Sequence, residues 1–155
     1  MKNILVAIDF SAVTDRVVST AEQLARSFGA KIWLLHCVRD YPLFAAMEEV
    51  PLEIPGADPT LKDKYPEPHR HLSAILDTVK QKGIQSQLLL TVGLPADEIL
   101  LAVEQYDIDL IILGSHGHGA VYDLVVGSVA NAVLKQSSAM TLIVPSKPRS
   151  TTMEA

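Results

Sequence analysis

Asp109-Leu110-Ile111-Ile112-Leu113-Gly114-Ser115-His116-Gly117, then nine residues, then Gly127-Ser128 and the apolar-periodic segment Val129 to Gln136, is the stretch on which the fold turns. Its apolar run is continuous rather than alternating, as in a parallel strand covered on both faces. A strand that feeds a helix through a glycine-punctuated loop brings backbone close to a phosphate. Glycine lacks the Cβ that would block approach and tolerates positive φ. The unbonded N–H groups and positive dipole end of the following helix receive an anion, and Ser128 suits the N-cap and offers a hydroxyl. The same glycines would also let helix and strand pack closely, and spacing alone leaves both readings open. Two familiar phosphate loops are excluded. No lysine lies between Gly114 and Ser128, as a Walker A loop requires. Gly117-x-Gly119 is followed by Tyr122 where the dinucleotide fingerprint needs a third glycine.

Outward from this unit the pattern repeats. Asn3 to Asp9 reads as a buried strand, followed by a helix capped by Ser11 or Thr14 that runs to Phe28 and stops at Gly29. Its apolar side carries Val17, Val18, Ala21, Leu24, Ala25 and Phe28. Lys31 to Val38 is a second buried strand. Arg39 to Pro68 holds six of the nine prolines, which argues against continuous regular structure. A loop that long is expected to be a mobile cover near the strand ends. Helical spacing returns over His69 to Lys82. Gln85 to Val92 is a third strand, Pro95 to Tyr106 a helix with proline and acids in its first turn, and Met140 to Val144 a fifth strand.

Strand and helix thus alternate five times. The expected fold is a single α/β domain, an open parallel five-stranded sheet with helices on both faces. Residues 1–145 form that domain, and the polar residues 146–155 a frayed, flexible tail. Ligands in such sheets sit at the carboxyl ends of the strands, where strand order reverses. Asp9, Val38 and Gly114 end three strands and could line one crevice.

The chain has 155 residues, enough for one substantial core, and 48% of them are hydrophobic. A net charge of −5 disfavours nucleic acid and anionic membranes as partners. No run approaches the roughly twenty apolar residues of a membrane span, and no secretory signal is visible. Cys37, the lone cysteine, reads as a core residue, and a cytoplasmic location is the default.

Three separated segments resemble the universal stress proteins. Ile4-Leu5-Val6-Ala7-Ile8-Asp9-Phe10-Ser11 is similar to that family's first strand. Gly114-Ser115-His116-Gly117-x9-Gly127-Ser128 matches the Gly-x2-Gly-x9-Gly-Ser/Thr pattern of its ATP-binding branch, and Leu142-Ile143-Val144-Pro145 resembles its closing strand. The resemblance implies strand order 3-2-1-4-5 and a homodimer paired through Met140 to Val144; a nucleotide motif without catalytic apparatus points to a regulator in the stress response whose occupancy a protein partner senses. It also implies a bound adenine nucleotide, ATP or AMP/ADP. Asp9 would hold the ribose, the backbone of Val38 would read the adenine edge, and Leu113 would lie against the nucleotide. Gly114, Gly117, Gly127, Ser128 and the amide of Val129 would hold the phosphates, and His118 is expected to face the phosphates or solvent. Family members often carry arginine or lysine where this chain has His118, and Asp123 stands in a region that is often basic. The choice between triphosphate and AMP is therefore open, and Mg²⁺ could supply the missing positive charge.

Other chemistries are less well served. His116-x-His118 is a chelating spacing, but a structural metal site wants four ligands and no such set is evident. His116 is expected to make hydrogen bonds within the loop, His36 to be a satisfied core residue, and His69 and His71 to be exposed. No acid–base pair or Ser–His–Asp triad is identifiable, so no catalytic residue is assigned. A slow ATPase or phosphotransferase and a structural dimerisation module that binds no nucleotide are the alternatives to a nucleotide-binding regulator.

Overall fold

The computed structural model describes residues 1–39, 54–116 and 126–146. Five strands, β1 (Asn3–Ala7), β2 (Lys31–Val38), β3 (Ser86–Val92), β4 (Leu110–Gly114) and β5 (Met140–Val144), form one sheet of order β3-β2-β1-β4-β5. Every neighbouring pair is parallel, with Ala7 opposite Leu35, Val38 opposite Val92 and Gly114 opposite Val144. The helices are α1 (Thr14–Phe28), α2 (Leu61–Lys64), α3 (Pro66–Gln81), α4 (Pro95–Gln105) and α5 (Ser128–Gln136).

The unbroken apolar runs are explained by covering on both faces. Ile4, Val6, Ile32, Leu34, Leu110 and Ile112 pack with Val17, Ala21, Leu72 and Val79 from α1 and α3. The alternate residues Leu5, Trp33, Leu35, Ile111 and Leu113 pack with Ile99, Ala102, Ala130 and Val133 from α4 and α5. Helices therefore change face between the β1 and β4 connections, and the sheet's switch point lies between those strands. Among the described residues no helix is long and apolar enough to cross a membrane.

Several local expectations are corrected. Strand β1 stops at Ala7, short of Asp9, because the chain turns out of the sheet at Phe10, whose φ is +59°. The N-cap of α1 is Val13, in helical conformation and without a side-chain cap bond, rather than Ser11 or Thr14. Phe28 is exposed, since the last turn of α1 runs past the sheet. The proline-rich stretch is not irregular to Pro68. Its end contains α2 and the first turn of α3, in which Pro66 is the first residue and Pro68 the third. First-turn positions need no intrahelical N–H, so both prolines are accommodated. Residues 40–53 lie outside the described residues, but 54–60 do not cover the strand ends. Pro55 is buried, and its carbonyl accepts the Tyr106 hydroxyl at 2.6 Å. A Cβ on Gly56 (φ +79°) would stand 2.7 Å from Leu89 Cδ2, so this strap lies directly on β3. The tail beyond Ser146 also lies outside the described residues.

Candidate functional site

At the carboxyl edge of the sheet, beside the switch point, lies a cleft of about 560 Å³. Asp9, Val38, Leu113, Gly114, Gly127, Ser128 and Val129 all line it, although the sequence scatters them over 120 positions (129 minus 9). The parallel topology brings every strand's end to the same edge, which is why they meet. Gly117 and His118 lie outside the described residues. Arg39 and His36 also line the cleft, and sequence reasoning assigned them no part in it. Arg39 follows β2 directly and is the arginine of the cleft lining, whereas Gly114 to Ser128 carries no lysine or arginine. Its position one residue beyond a strand end was the available signal.

One wall of the cleft is built from β4 and α5. The N-cap of α5 is Gly127, with extended φ/ψ of −66°/166°, and Ser128 is the first helical residue rather than the cap. Glycine stands there because of crowding: its N–H donates to the Ser115 carbonyl at 2.6 Å, and a Cβ would sit 3.0 Å from that oxygen. The first turn of α5 holds no acidic residue, so no carboxylate within that turn offsets its N–H groups and dipole. Gly114 has a packing role as well, since a Cβ there would come within 2.5 Å of Val13 Cγ1. The close-packing reading of the glycine spacing thus finds a counterpart in the structure at both positions.

Behind that wall Ser115 is buried, with its N–H donating to the Val144 carbonyl at 2.9 Å. Its hydroxyl accepts the Ser146 N–H at 3.1 Å and lies 3.0 Å from His116 Nδ1, while Ser146 Oγ is 3.3 Å from the same nitrogen. His116 makes the hydrogen bonds expected of it, and the knot ties the exits of β4 and β5 together.

The opposite wall is built from β1 and β2. Asp9 is exposed, and its Oδ1 accepts the Ser11 N–H at 3.0 Å in a turn that fixes the carboxylate at the rim. In a parallel ladder a residue sends its N–H and C=O to the same neighbour, and successive residues alternate sides. The Leu35 carbonyl accepts the Ile8 N–H at 2.8 Å on the β1 side, and the Val38 carbonyl accepts the Gly93 N–H at 3.1 Å on the β3 side. Val38 therefore turns its backbone away from the cleft, contrary to the sequence expectation. Cys37, two residues beyond Leu35, directs its N–H and C=O toward the cleft instead.

His36 is half-buried rather than a core residue. Its Nδ1 lies 2.7 Å from the Ile8 carbonyl, and its ring packs on Phe10 with centroids 4.4 Å apart. Desolvation by burial lowers its pKa, against the opposing influence of the Ile8 hydrogen bond and the Asp9 charge. His71 is exposed as expected, yet meets Phe10 edge-on at 5.4 Å. Beneath the cleft floor the buried Thr91 hydroxyl donates to the buried Glu98 carboxylate. The Cys37 thiol donates to the Gly93 carbonyl at 3.2 Å. Burial, reinforced by Glu98, pushes that thiol's pKa up to about 12, so it is neutral and unreactive at neutral pH. Among the described residues no group of three His, Cys, Asp or Glu side chains could hold a metal ion.

The comparisons with known proteins agree with this architecture. The model of the universal stress protein family matches residues 1–145. Universal stress protein A homolog 2 of Coxiella burnetii is 31% identical over 135 residues, spanning 86% of this chain and 87% of that protein. The solved structure of MJ0577 from Methanocaldococcus jannaschii superposes with a TM-score of 0.76 at 26% identity, covering 96% of this chain and 98% of that one. The universal stress protein of Archaeoglobus fulgidus, solved in complex with dAMP, shares the fold with a TM-score of 0.64 at 22% identity, covering 92% and 97%. With a family match over nearly its whole length and the family's fold, the chain belongs to the universal stress protein family.

Proposed function

We propose that this protein is an adenine-nucleotide-binding regulator, with ATP as its ligand and the cleft between β1 and β4 as its site. The observation that carries this reading is the convergence in one cleft of the α5 N-terminus, the Asp9 carboxylate and the Cys37 main chain beyond the last β1–β2 ladder bond. The N–H and C=O of Cys37 together offer a donor and an acceptor side by side. Adenine presents the complementary pair at N1 and N6, whereas guanine presents the opposite order, so adenine is preferred. The second carboxylate oxygen of Asp9 accepts from a ribose hydroxyl, and Leu113 lies against the nucleoside. The amides of Ser128 and Val129 and the Ser128 hydroxyl bind phosphate oxygens, with Arg39 adding charge. Mg²⁺ fits this arrangement as a phosphate-bound ion that keeps its waters, because it needs few protein ligands.

In this reading nucleotide occupancy is sensed at the protein surface. Met140 and Leu142 are 59% and 36% exposed on edge strand β5, and Leu134 of α5 is 48% exposed. An apolar sheet edge of this kind pairs with a second copy, giving a homodimer through β5.

The test is thermal unfolding of nucleotide-stripped protein with ATP, ADP, AMP or cyclic AMP, each with and without Mg²⁺. A ligand at about 100 times its Kd adds roughly 2.7 kcal/mol of stability. An ATP–Mg²⁺ shift is expected; a shift with AMP alone would remove the triphosphate assignment, and no shift with any of them would remove the nucleotide.

A further inference from the structure

We infer that His36 is a positioning residue that holds the main chain of Cys37 open for the ligand, by occupying the carbonyl that would otherwise bond it. The inference rests on the nucleotide reading for its consequence but on hydrogen-bond geometry for its mechanism.

The β1–β2 ladder follows a fixed pattern up to the cleft. Lys31 N–H donates to the Lys2 carbonyl at 2.8 Å, and Ile8 N–H donates to the Leu35 carbonyl at 2.8 Å. The next bond of the series would run from the Cys37 N–H to the Ile8 carbonyl. That oxygen is where the His36 ring arrives, with Nδ1 at 2.7 Å. A carbonyl can only accept, so Nδ1 carries the proton, whatever the state of Nε2. The ring thus substitutes for the ladder bond and ends pairing one step early.

Phe10 completes the device. It holds a positive φ of 59°, unusual for a bulky residue, and turns the chain out of the sheet just after Asp9. Its ring lies 4.4 Å from the His36 ring on one side and meets His71 of α3 edge-on at 5.4 Å on the other. The imidazole is therefore fixed by packing as well as by its hydrogen bond. Ile8 is buried, so its carbonyl needs a partner. Without the imidazole the ladder pattern offers that oxygen the Cys37 amide, and closure of the ladder withdraws half of the adenine-reading pair.

Two variants and two measurements test this. His36→Leu removes the donor, while His36→Asn places an amide N–H close to where Nδ1 stands. Amide hydrogen exchange of Cys37 is read in nucleotide-free protein, and Kd for ATP–Mg²⁺ is read by titration. The wild-type Cys37 amide should exchange faster than those of Leu34 and Leu35, and His36→Leu should slow it. Loss of one ligand hydrogen bond should weaken ATP about tenfold in His36→Leu, with most of the affinity restored in His36→Asn. A wild-type Cys37 amide as protected as its strand neighbours would overturn the inference without any variant having to fold. An affinity unchanged in a folded His36→Leu protein would overturn it too. Failure of the wild type to bind any adenine nucleotide would instead overturn the proposed function, while the exchange measurement would still decide the role of His36.

Discussion

The backbone N–H of Gly127 donates to the carbonyl of Ser115 at 2.6 Å, closing the two arms of the glycine loop on each other whatever residues 117–125 do between them. Any side chain at 127 is directed at that same oxygen, 3.0 Å from a Cβ. The backbone angles at 127 suit any residue, so the constraint is steric rather than conformational. Gly127→Val should lose about 1–3 kcal/mol of stability through overpacking and abolish ATP binding by displacing the start of α5. Gly127→Ala should weaken binding with a smaller loss. Denaturant unfolding and titration check both, and an unaltered affinity in Gly127→Val would count against the site.

Gly114 and Val13 are coupled in the same manner across α1 and β4. A Cβ on Gly114 would meet Val13 Cγ1 at 2.5 Å, and a β-branched side chain has little rotamer freedom to withdraw. Gly114→Ala should destabilise by about 1–3 kcal/mol. Combined with Val13→Ala it should cost less than the sum of the single changes, with a coupling of roughly 0.5–3 kcal/mol. Additive losses in a double-mutant cycle would mean that Gly114 is not held by this contact.

Thr91 and Glu98 form a buried polar pair beneath the cleft floor, at 4% and 5% exposure. Thr91→Val keeps the shape and removes a donor from a buried carboxylate, which should cost about 1–3 kcal/mol. Thr91→Ser retains the hydroxyl and should lose less. Urea midpoints of the two variants decide it.

The pH dependence of stability has an acid and an alkaline limb with separate causes. Burial lowers the His36 pKa from its ordinary 6.5. Its stabilising contribution is therefore complete above that value and is lost as pH falls below it, because the unfolded chain takes up the proton first. His36→Asn should flatten the stability profile just below pH 6.5. Asp109, whose Oδ2 accepts the N–H groups of Lys2 and Asn3, is held below its ordinary 3.8. Its contribution is lost only as pH falls through that lower range. On the alkaline side, Cys37 is raised from 9.0 to about 12, so stability should fall as pH climbs between those values. Cys37→Ser should remove that slope in thermal melts, and the native thiol should resist alkylation at pH 8.

Much of the architecture could be read before any coordinates. Runs such as Leu110 to Leu113 are apolar at every position because helices cover both faces, and that is visible in a single line of sequence. Helical spacing located α1, α4 and α5 to within a residue or two at each end. The Gly114 to Ser128 spacing located the loop because close approach of backbone leaves glycine almost no substitute. Pro66 and Pro68 misled because a proline's meaning depends on its place in a helix: in the first turn, as here beside Glu67, it starts one rather than breaking it.

By itself the sequence determined the order of strands and helices along the chain and the single α/β domain, because these follow from hydrophobic periodicity along the chain. Only the tertiary structure decided that the main chain of Cys37 rather than that of Val38 is turned to the cleft, that the His36 ring replaces a ladder bond at Ile8, and that Arg39 joins the site. Each of these depends on which strand lies on which side of β2 and where β1 stops pairing with it. Those are relations between residues far apart in the chain, and no local pattern records them.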